Sequence, residues 1–210
     1  MFNDFFENLK DELDKGLPGE HAQLKMAPKI RDYFKPKVKS RDAGVLILLY
    51  QKKGEIYVAF ILRNEYDGPH SGQISFPGGK SEKSDKNIID TALRESHEEI
   101  GINPEKVKIV GQLTPLHIPV SNFMVYPIIG IYEDEPIFKA DPNEVQKILE
   151  VKLKDLIDSD NCTTKEFHYG EISFTAPIYC PNNITIWGAT AMMLSEFLEI
   201  VKNNPSKFQE

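Results

Sequence analysis

Apolar positions recur along this chain in two periods. In the first stretch Phe2, Phe5, Phe6, Leu9 and Leu13 fall at offsets of three and four, the stripe of an amphipathic helix. Gly16-Leu17-Pro18-Gly19 is its expected stop, since Gly and Pro both oppose continuation. The polar side is mainly acidic and lacks the Lys/Arg excess of a membrane-surface helix, so the helix is expected to dock onto its own chain or cover a homodimer interface. Lys25 to Arg41 is punctuated by Pro and basic: Lys25, Lys29, Arg31, Lys35, Lys37, Lys39, Arg41. It reads as a solvated connecting arm, with contribution to an anionic-ligand site as the functional alternative.

From Ala43 onward the apolar runs shorten and become dense. Val45 to Tyr50 and Ile56 to Leu62 read as two strands of a hairpin turned at Gln51-Lys52-Lys53-Gly54. A Gly/Pro-rich segment follows, from Asp67 to Lys80. Ile88 to Ile100 has helical periodicity with Gly101 at the stop position. Val107 to Leu113, Phe123 to Tyr132, Val145 to Leu153 and Ile172 to Tyr179 read as strands, and Pro181-Asn182-Asn183 as a turn. Ala189 to Val201 is a last helix with Met192, Met193, Phe197 and Leu198 on its apolar face. Strands and helices interleave without a regular βαβ rhythm, which favours a mixed-sheet α/β sandwich over a doubly wound parallel fold. The expected organisation is a helix and arm over 1–41, one domain over 42–203 and a tail over 204–210.

Composition removes several functions. With 210 residues, 40% hydrophobic and 27% charged, the chain can bury a full core and is neither disordered nor fibrous. Apolar runs such as Val45 to Tyr50 are far short of the ~20 residues of a membrane helix. Lys and Arg total 25 against 32 Asp and Glu, a net charge of −7 that opposes nucleic-acid binding. An anionic substrate then needs a metal ion or a local basic patch. Cys162 and Cys180 form no CxxC pair, which points to reduced thiols in a cytoplasmic protein. The segment Met1 to Glu7 has neither the basic nor the apolar region of a signal peptide.

The candidate chemistry lies in Phe76-Pro77-Gly78-Gly79-Lys80 and Arg94-Glu95-Ser96-His97-Glu98-Glu99-Ile100-Gly101-Ile102. On a helix Glu95, Glu98 and Glu99 share one face, at i, i+3 and i+4. Such like-charge pairs cost ~0.2–0.5 kcal/mol each. They also sit at the C-terminal end, where the macrodipole disfavours anions. A divalent cation removes both penalties, and carboxylates suit Mg²⁺ or Mn²⁺. The bland alternative is a solvated acidic face with Arg94 as counter-charge. Gly78-Gly79 allows close backbone approach to a ligand. A phosphate-cradling Walker loop is absent: Gly79-Lys80-Ser81 fits its end, but Ile74 stands where its first Gly belongs.

Gly79, Asp85 and Arg94-Glu95-Ser96-His97-Glu98-Glu99-Ile100-Gly101-Ile102 resemble the Nudix box, G-x5-E-x7-R-E-U-x-E-E-x-G-U with U aliphatic. Asp85 stands for Glu, the second spacer is one residue longer, and Ser96 takes an aliphatic position. His70 to Lys80 is similar to the segment before the box in coenzyme A pyrophosphatase-like Nudix proteins. That group also tends to carry the Asp and the longer spacer. Arg63, Gly72 and Phe76 to Gly79 match its upstream signature, whereas Ala59, Phe60, Ile61, Asn64 and Gly68 depart from it. Trp187-Gly188-Ala189-Thr190-Ala191 resembles the start of the group's C-terminal helix.

The resemblance implies an α/β/α Nudix sandwich. It implies Mg²⁺ or Mn²⁺ held by Glu95, Glu98, Glu99 and the Gly78 carbonyl, with Arg94 fixing the loop by pairing with Asp85. The general base is Glu99 or the later loop acid Glu144. Arg63, His70 and Lys80 are the candidate substrate contacts, while Phe123, Tyr126 and Tyr132 are assigned to core packing and His97 to no role. The implied reaction is hydrolysis of a small nucleoside-diphosphate derivative, coenzyme A or an acyl derivative, to 3′,5′-ADP and 4′-phosphopantetheine or its acyl form. ADP-ribose or a dinucleotide is the alternative substrate, and a non-catalytic nucleotide-binding module the alternative of another class.

Overall fold

The computed structural model describes residues 2–29, 39–68, 70–169 and 172–203. Most of the predicted basic arm (30–38) and the tail (204–210) lie outside them. The centre is a mixed sheet. Strands β1 (Arg41–Lys52) and β2 (Glu55–Arg63) form the expected hairpin, with Leu49 opposite Val58 and Lys52 opposite Glu55. Lys53 and Gly54 close it with φ of 51° and 78°, the left-handed pair that a tight hairpin turn needs. Strand β3 (Ile74–Ser75) pairs with β2, and β4 (Gly78–Lys80) lies antiparallel on the start of β1. Strands β5 (Val107–Gln112) and β6 (Leu116–Ile118) pair antiparallel with β7 (Phe123–Tyr132), which itself runs parallel to β1 from Arg41↔Phe123 to Leu49↔Ile131. Strand β8 (Val145–Lys152) completes the sheet on β2.

Leu46 to Tyr50 are all fully buried because both faces of β1 are covered. Leu46, Leu48 and Tyr50 point with Ala59, Ile61 and Ile128 to the side of α3 (Ile88–Ile100). Ile47 and Leu49 point with Phe60 and Ile129 to the side of α1 (Phe2–Asp14) and α5 (Gly188–Lys202). Helices on both faces make the α/β/α sandwich expected. Helix α3 rides close on β1: a Cβ at Gly44 would lie 2.6 Å from the Ile88 carbonyl. Ser96 tolerates its aliphatic position because its hydroxyl, buried, donates to the Ala92 carbonyl at 2.6 Å.

Helix α1 docks onto its own chain, burying Phe5 and Leu9 in the core that contains Phe197. The short α2 (Glu20–Leu24) is fixed by Glu196 of α5, which is 0% exposed. That carboxylate accepts from the Gly19 N–H, Gln23 Nε2, and the N–H and Oγ1 of Thr114. Met26 is buried as well, so the beginning of the basic arm is core rather than solvated. Two expectations shift at strand ends. Leu153 opens α4 (Leu153–Ile157) instead of ending a strand, and β9 (Cys162–Tyr169), unread in the sequence, pairs with β10 (Ile172–Tyr179). Strand β11 (Ile186–Trp187) finishes this second sheet, where Phe167 stacks on Trp187 with centroids 4.2 Å apart.

Candidate active site

Local capping fixes α3. The Asn87 side chain accepts from the N–H groups of Ile89 and Asp90, and Gly101 ends the helix at φ 73°, donating to the His97 carbonyl. Between these caps Glu95 and Glu99 meet β4 at Gly79 and Gly78, and Glu98 turns to Arg94. Arg94 ties the helix to the preceding loop. Its Nε and Nη2 make a fork on Asp85 at 2.8 and 3.1 Å, and Nη2 also donates to the Lys80 carbonyl at 3.1 Å. Its Nη1 reaches Glu95 and Glu98, each at 3.0 Å. The Arg94 guanidinium holds the Asp85 carboxyl well below the usual carboxylate range.

The three glutamates sit in different surroundings. Glu98 is open to solvent, its side chain 55% exposed. Burial raises the pKa of Glu95 and Arg94 opposes that rise. Glu99 is 1% exposed; its Oε2 accepts from the Gly78 N–H at 2.7 Å and its Oε1 lies 3.3 Å from Arg63 Nη1. Burial pushes the Glu99 carboxyl up to about 7, against the opposing pull of Gly78 and Arg63. Glu144 is exposed on the loop before β8, near enough for its charge to act on both Glu95 and Glu99. Its backbone carbonyl accepts from Asn64, which places it at the end of β2 beside Arg63.

Two glycines let the backbone of β4 lie close against its neighbours at the edge of a cavity. At Gly78 (φ 144°) a Cβ would lie 2.3 Å from the Gly44 carbonyl oxygen; at Gly79 it would lie 2.3 Å from Glu95 Oε2. Past Gly79 lies a pocket of about 660 Å³ on the α5 side of the sheet. Arg63, His70, Lys80, Gly78, Gly79 and Glu95 all line it. His70 holds φ 67°, with its ring 3.0 Å from Ser121 Oγ and 3.3 Å from Gln73 Oε1. Glu98, Glu99, Glu144, Asp85 and Gly101 are not in the pocket wall; Asp85 and Gly101 shape α3 from its two ends.

Arg41, read in sequence as part of the basic arm with an anionic-ligand site as its alternative role, lines this wall, as do Ser75, Ile118, Ser121 and Met193, which the sequence did not bring here. Phe123, assigned to core packing, packs against the core and also lines the pocket. Strand alternation is the signal that was there to find. Arg41, Ala43 and Val45 share one face of β1, and Phe123 and Val125 share the matching face of β7.

Among the described residues no group of three His, Cys, Asp or Glu side chains is already gathered for a metal ion. Glu95 and Glu98 are drawn to Arg94, and Glu99 to Gly78 and Arg63. The donor chemistry nevertheless fits a hard divalent cation: it is all oxygen, and burial disfavours the Glu99 anion by more than Gly78 and Arg63 offset, a deficit that a bound cation would remove.

Residues 40–170 match the NUDIX domain. The chain belongs to the Nudix family. It is 33% identical over 208 residues to Nudix hydrolase 22, chloroplastic, of Arabidopsis thaliana, covering 96% of this chain and 66% of the plant protein. It is 32% identical over 162 residues to the uncharacterized Nudix hydrolase NudL of Yersinia enterocolitica, covering 77% of this chain and 82% of that protein. The fold matches the Nudix hydrolase RenU of M. smegmatis with a TM-score of 0.54 at 14% identity, over 78% of this chain and 87% of that one. Nudix hydrolases cleave pyrophosphate linkages and generally work with divalent ions such as Mg²⁺ or Mn²⁺. Among the described residues no helix is long and apolar enough to cross a membrane.

Proposed function

We propose that this Nudix protein hydrolyses the diphosphate linkage of coenzyme A or its acyl derivatives, giving 3′,5′-ADP and 4′-phosphopantetheine or its acyl form. The observation that carries the reading is the close contact between Glu95 and Gly79 at the pocket wall. It joins a carboxylate-bearing helix to a 660 Å³ pocket that is apolar along much of its wall and cationic at Arg63 and Lys80. That size suits a nucleotide-scale ligand. The apolar wall, including Ile74, Phe76 and Met193, suits a long uncharged arm beside the diphosphate.

Glu95, Glu98, Glu99 and the Gly78 carbonyl are the groups that would hold Mg²⁺ or Mn²⁺. When bound, the cation neutralises diphosphate charge and lowers the pKa of a water nucleophile. Arg94 keeps the glutamates and the Lys80 carbonyl in one rigid unit through Asp85. Lys80 and Arg63 face the diphosphate, and His70 positions the substrate through its bonds to Ser121 and Gln73. Glu99 or Glu144 takes the proton from the attacking water; both lie beside Arg63. The free thiols of Cys162 and Cys180 support a cytoplasmic setting.

The test is product analysis with Mg²⁺ and Mn²⁺ across coenzyme A, acetyl-coenzyme A, ADP-ribose and NADH. Selective release of 3′,5′-ADP from coenzyme A is expected. Cleavage of ADP-ribose or NADH instead would overturn the substrate while keeping the chemistry. Glu98→Gln separates an enzyme from a binding module: the fold stays and turnover is lost, whereas a module would keep its ligand response.

A further inference from the structure

The pocket holds two arginines, and only one is committed. Arg63 lies 3.3 Å from the Glu99 carboxylate. Arg41, by contrast, has no carboxylate partner among the described residues. Its guanidinium lies 4.3 Å from the centroid of the Phe123 ring, and Nη2 donates to the Ser121 carbonyl at 3.2 Å. A guanidinium held over an aromatic face keeps the N–H groups that are not already bonded, here those other than the one on Ser121, available to a ligand. Those groups are the fork that reads phosphate.

The position of Arg41 is fixed from several sides. Its own N–H donates to the Asn122 carbonyl, and Ser121, which receives its side chain, bonds His70 through Oγ. Gly44 of β1 pairs with Gly79, and Arg41 stands three residues earlier on the same strand. At ~3.3 Å per residue, that separates it by roughly 10 Å from Gly44, which pairs with Gly79. Arg41 and Gly79 line one pocket. An anion at Arg41 is therefore set apart from a diphosphate at the Gly79 backbone, with Lys80, opposite Ala43, between the two, yet within reach of the same nucleotide.

We infer that Arg41, stacked on Phe123, is a second anion subsite that selects substrates carrying a further phosphate on the nucleoside side of the diphosphate. The inference rests on the nucleoside-diphosphate reading above and deepens it. It also gives the last residue of the basic arm a role, as a local cation serving a pocket in a chain of net charge −7.

The test measures binding of adenosine 3′,5′-bisphosphate and adenosine 5′-monophosphate to the full chain by calorimetry in Mg²⁺ buffer. The wild type is expected to hold the bisphosphate about tenfold more tightly, the effect of one charge-assisted fork. Arg41→Gln should bring the two dissociation constants within about twofold while leaving that of the monophosphate unchanged, and Arg41→Lys should fall between. Arg41 is exposed, so an unchanged melting temperature checks that the variants fold. A ratio near one in the wild type, or a preference that survives in Arg41→Gln, overturns the subsite. The assay needs no turnover. Failure to cleave coenzyme A with the Arg41-dependent ratio intact would remove the proposed substrate and leave the subsite standing. Cleavage with a ratio indifferent to Arg41 would do the reverse.

Discussion

The two adjacent glycines predict opposite outcomes for the same substitution. A Cβ at Gly79 meets Glu95 Oε2 at 2.3 Å and Glu95 Cδ at 2.5 Å, whereas ordinary contact begins near 3.4 Å. Moving the carboxylate oxygen from 2.3 to 3.4 Å is a retreat of about 1 Å. The obstacle is the free end of a flexible side chain, so the chain can yield with little loss of stability. The carboxylate cannot yield and also keep its place, and a displacement of ~1 Å at a reacting centre costs on the order of 100-fold in rate. At Gly78 the Cβ meets backbone instead, with the Gly44 carbonyl oxygen at 2.3 Å and Val45 Cα at 2.5 Å, at φ 144°. Overpacking of that kind costs about 1–3 kcal/mol or more, because a sheet pair must separate. Gly79→Ala should therefore melt within a few degrees of the wild type and lose about 100-fold in kcat/KM. Gly78→Ala should lose stability first. Thermal melts and diphosphate hydrolysis on both variants decide the matter. Full activity in Gly79→Ala, or a melting loss equal to that of Gly78→Ala, would refute the roles drawn from these two contacts.

Other substitutions test the supports. Asp85→Asn weakens the Arg94 fork and should cost about 2 kcal/mol at neutral pH, the scale of a hydrogen bond to a charged group. Arg94 holds the folded carboxyl below its unfolded pKa. Its stabilisation is thus complete above about pH 4 and is lost as pH falls toward the depressed folded value. The melting gap between wild type and Asp85→Asn should stay constant from pH 7 to 5 and narrow below 4; a gap that widens in acid would contradict the pairing. Glu196→Ala leaves the Gly19, Gln23 and Thr114 donors without their acceptor. A loss of about 3 kcal/mol is expected, lowering the melting temperature by roughly 6–12 °C for a chain of this length. Chelation with EDTA should abolish hydrolysis and added Mg²⁺ or Mn²⁺ restore it; hydrolysis undiminished by EDTA would remove the cation from the mechanism.

Where local chemistry decides, the sequence was readable. Helix α3 begins and ends at the predicted residues because Asn87 and Gly101 cap it with their own side chain and backbone. Strand β7 and helix α5 were legible because long apolar runs are hard to bury any other way. The two- and three-residue strands β3, β4 and β6 were not, since they have no period to show. They are extended only because β1, β2 and β7 supply their hydrogen-bond partners. Strand β9 was hidden for a different reason. Cys162 to Glu166 and His168 are all exposed and Phe167 stacks on Trp187, so the strand lacks the alternation that marks a half-buried one.

The candidate site divides along the same line. Glu95, Glu98 and Glu99 could be placed together from spacing alone, because a helix converts spacing into a face. Their distinct environments could not. Glu99 is desolvated because β4 folds back over it, and the Gly78 N–H arrives from a sheet pair distant in the chain. Arg41 shows the limit most clearly. In sequence it is the last of a run of like charges, and a solvated arm explains such a run well. Only the parallel pairing of β1 with β7 sets Arg41 opposite Phe123, and only the β6–β7 connection brings the Ser121 carbonyl to its guanidinium. Both contacts join segments about 80 residues apart. A residue whose neighbours are chosen by sheet register looks the same in sequence whether it is surface charge or pocket wall. The loss or survival of bisphosphate preference in Arg41→Gln is therefore information that the one-dimensional pattern never contained.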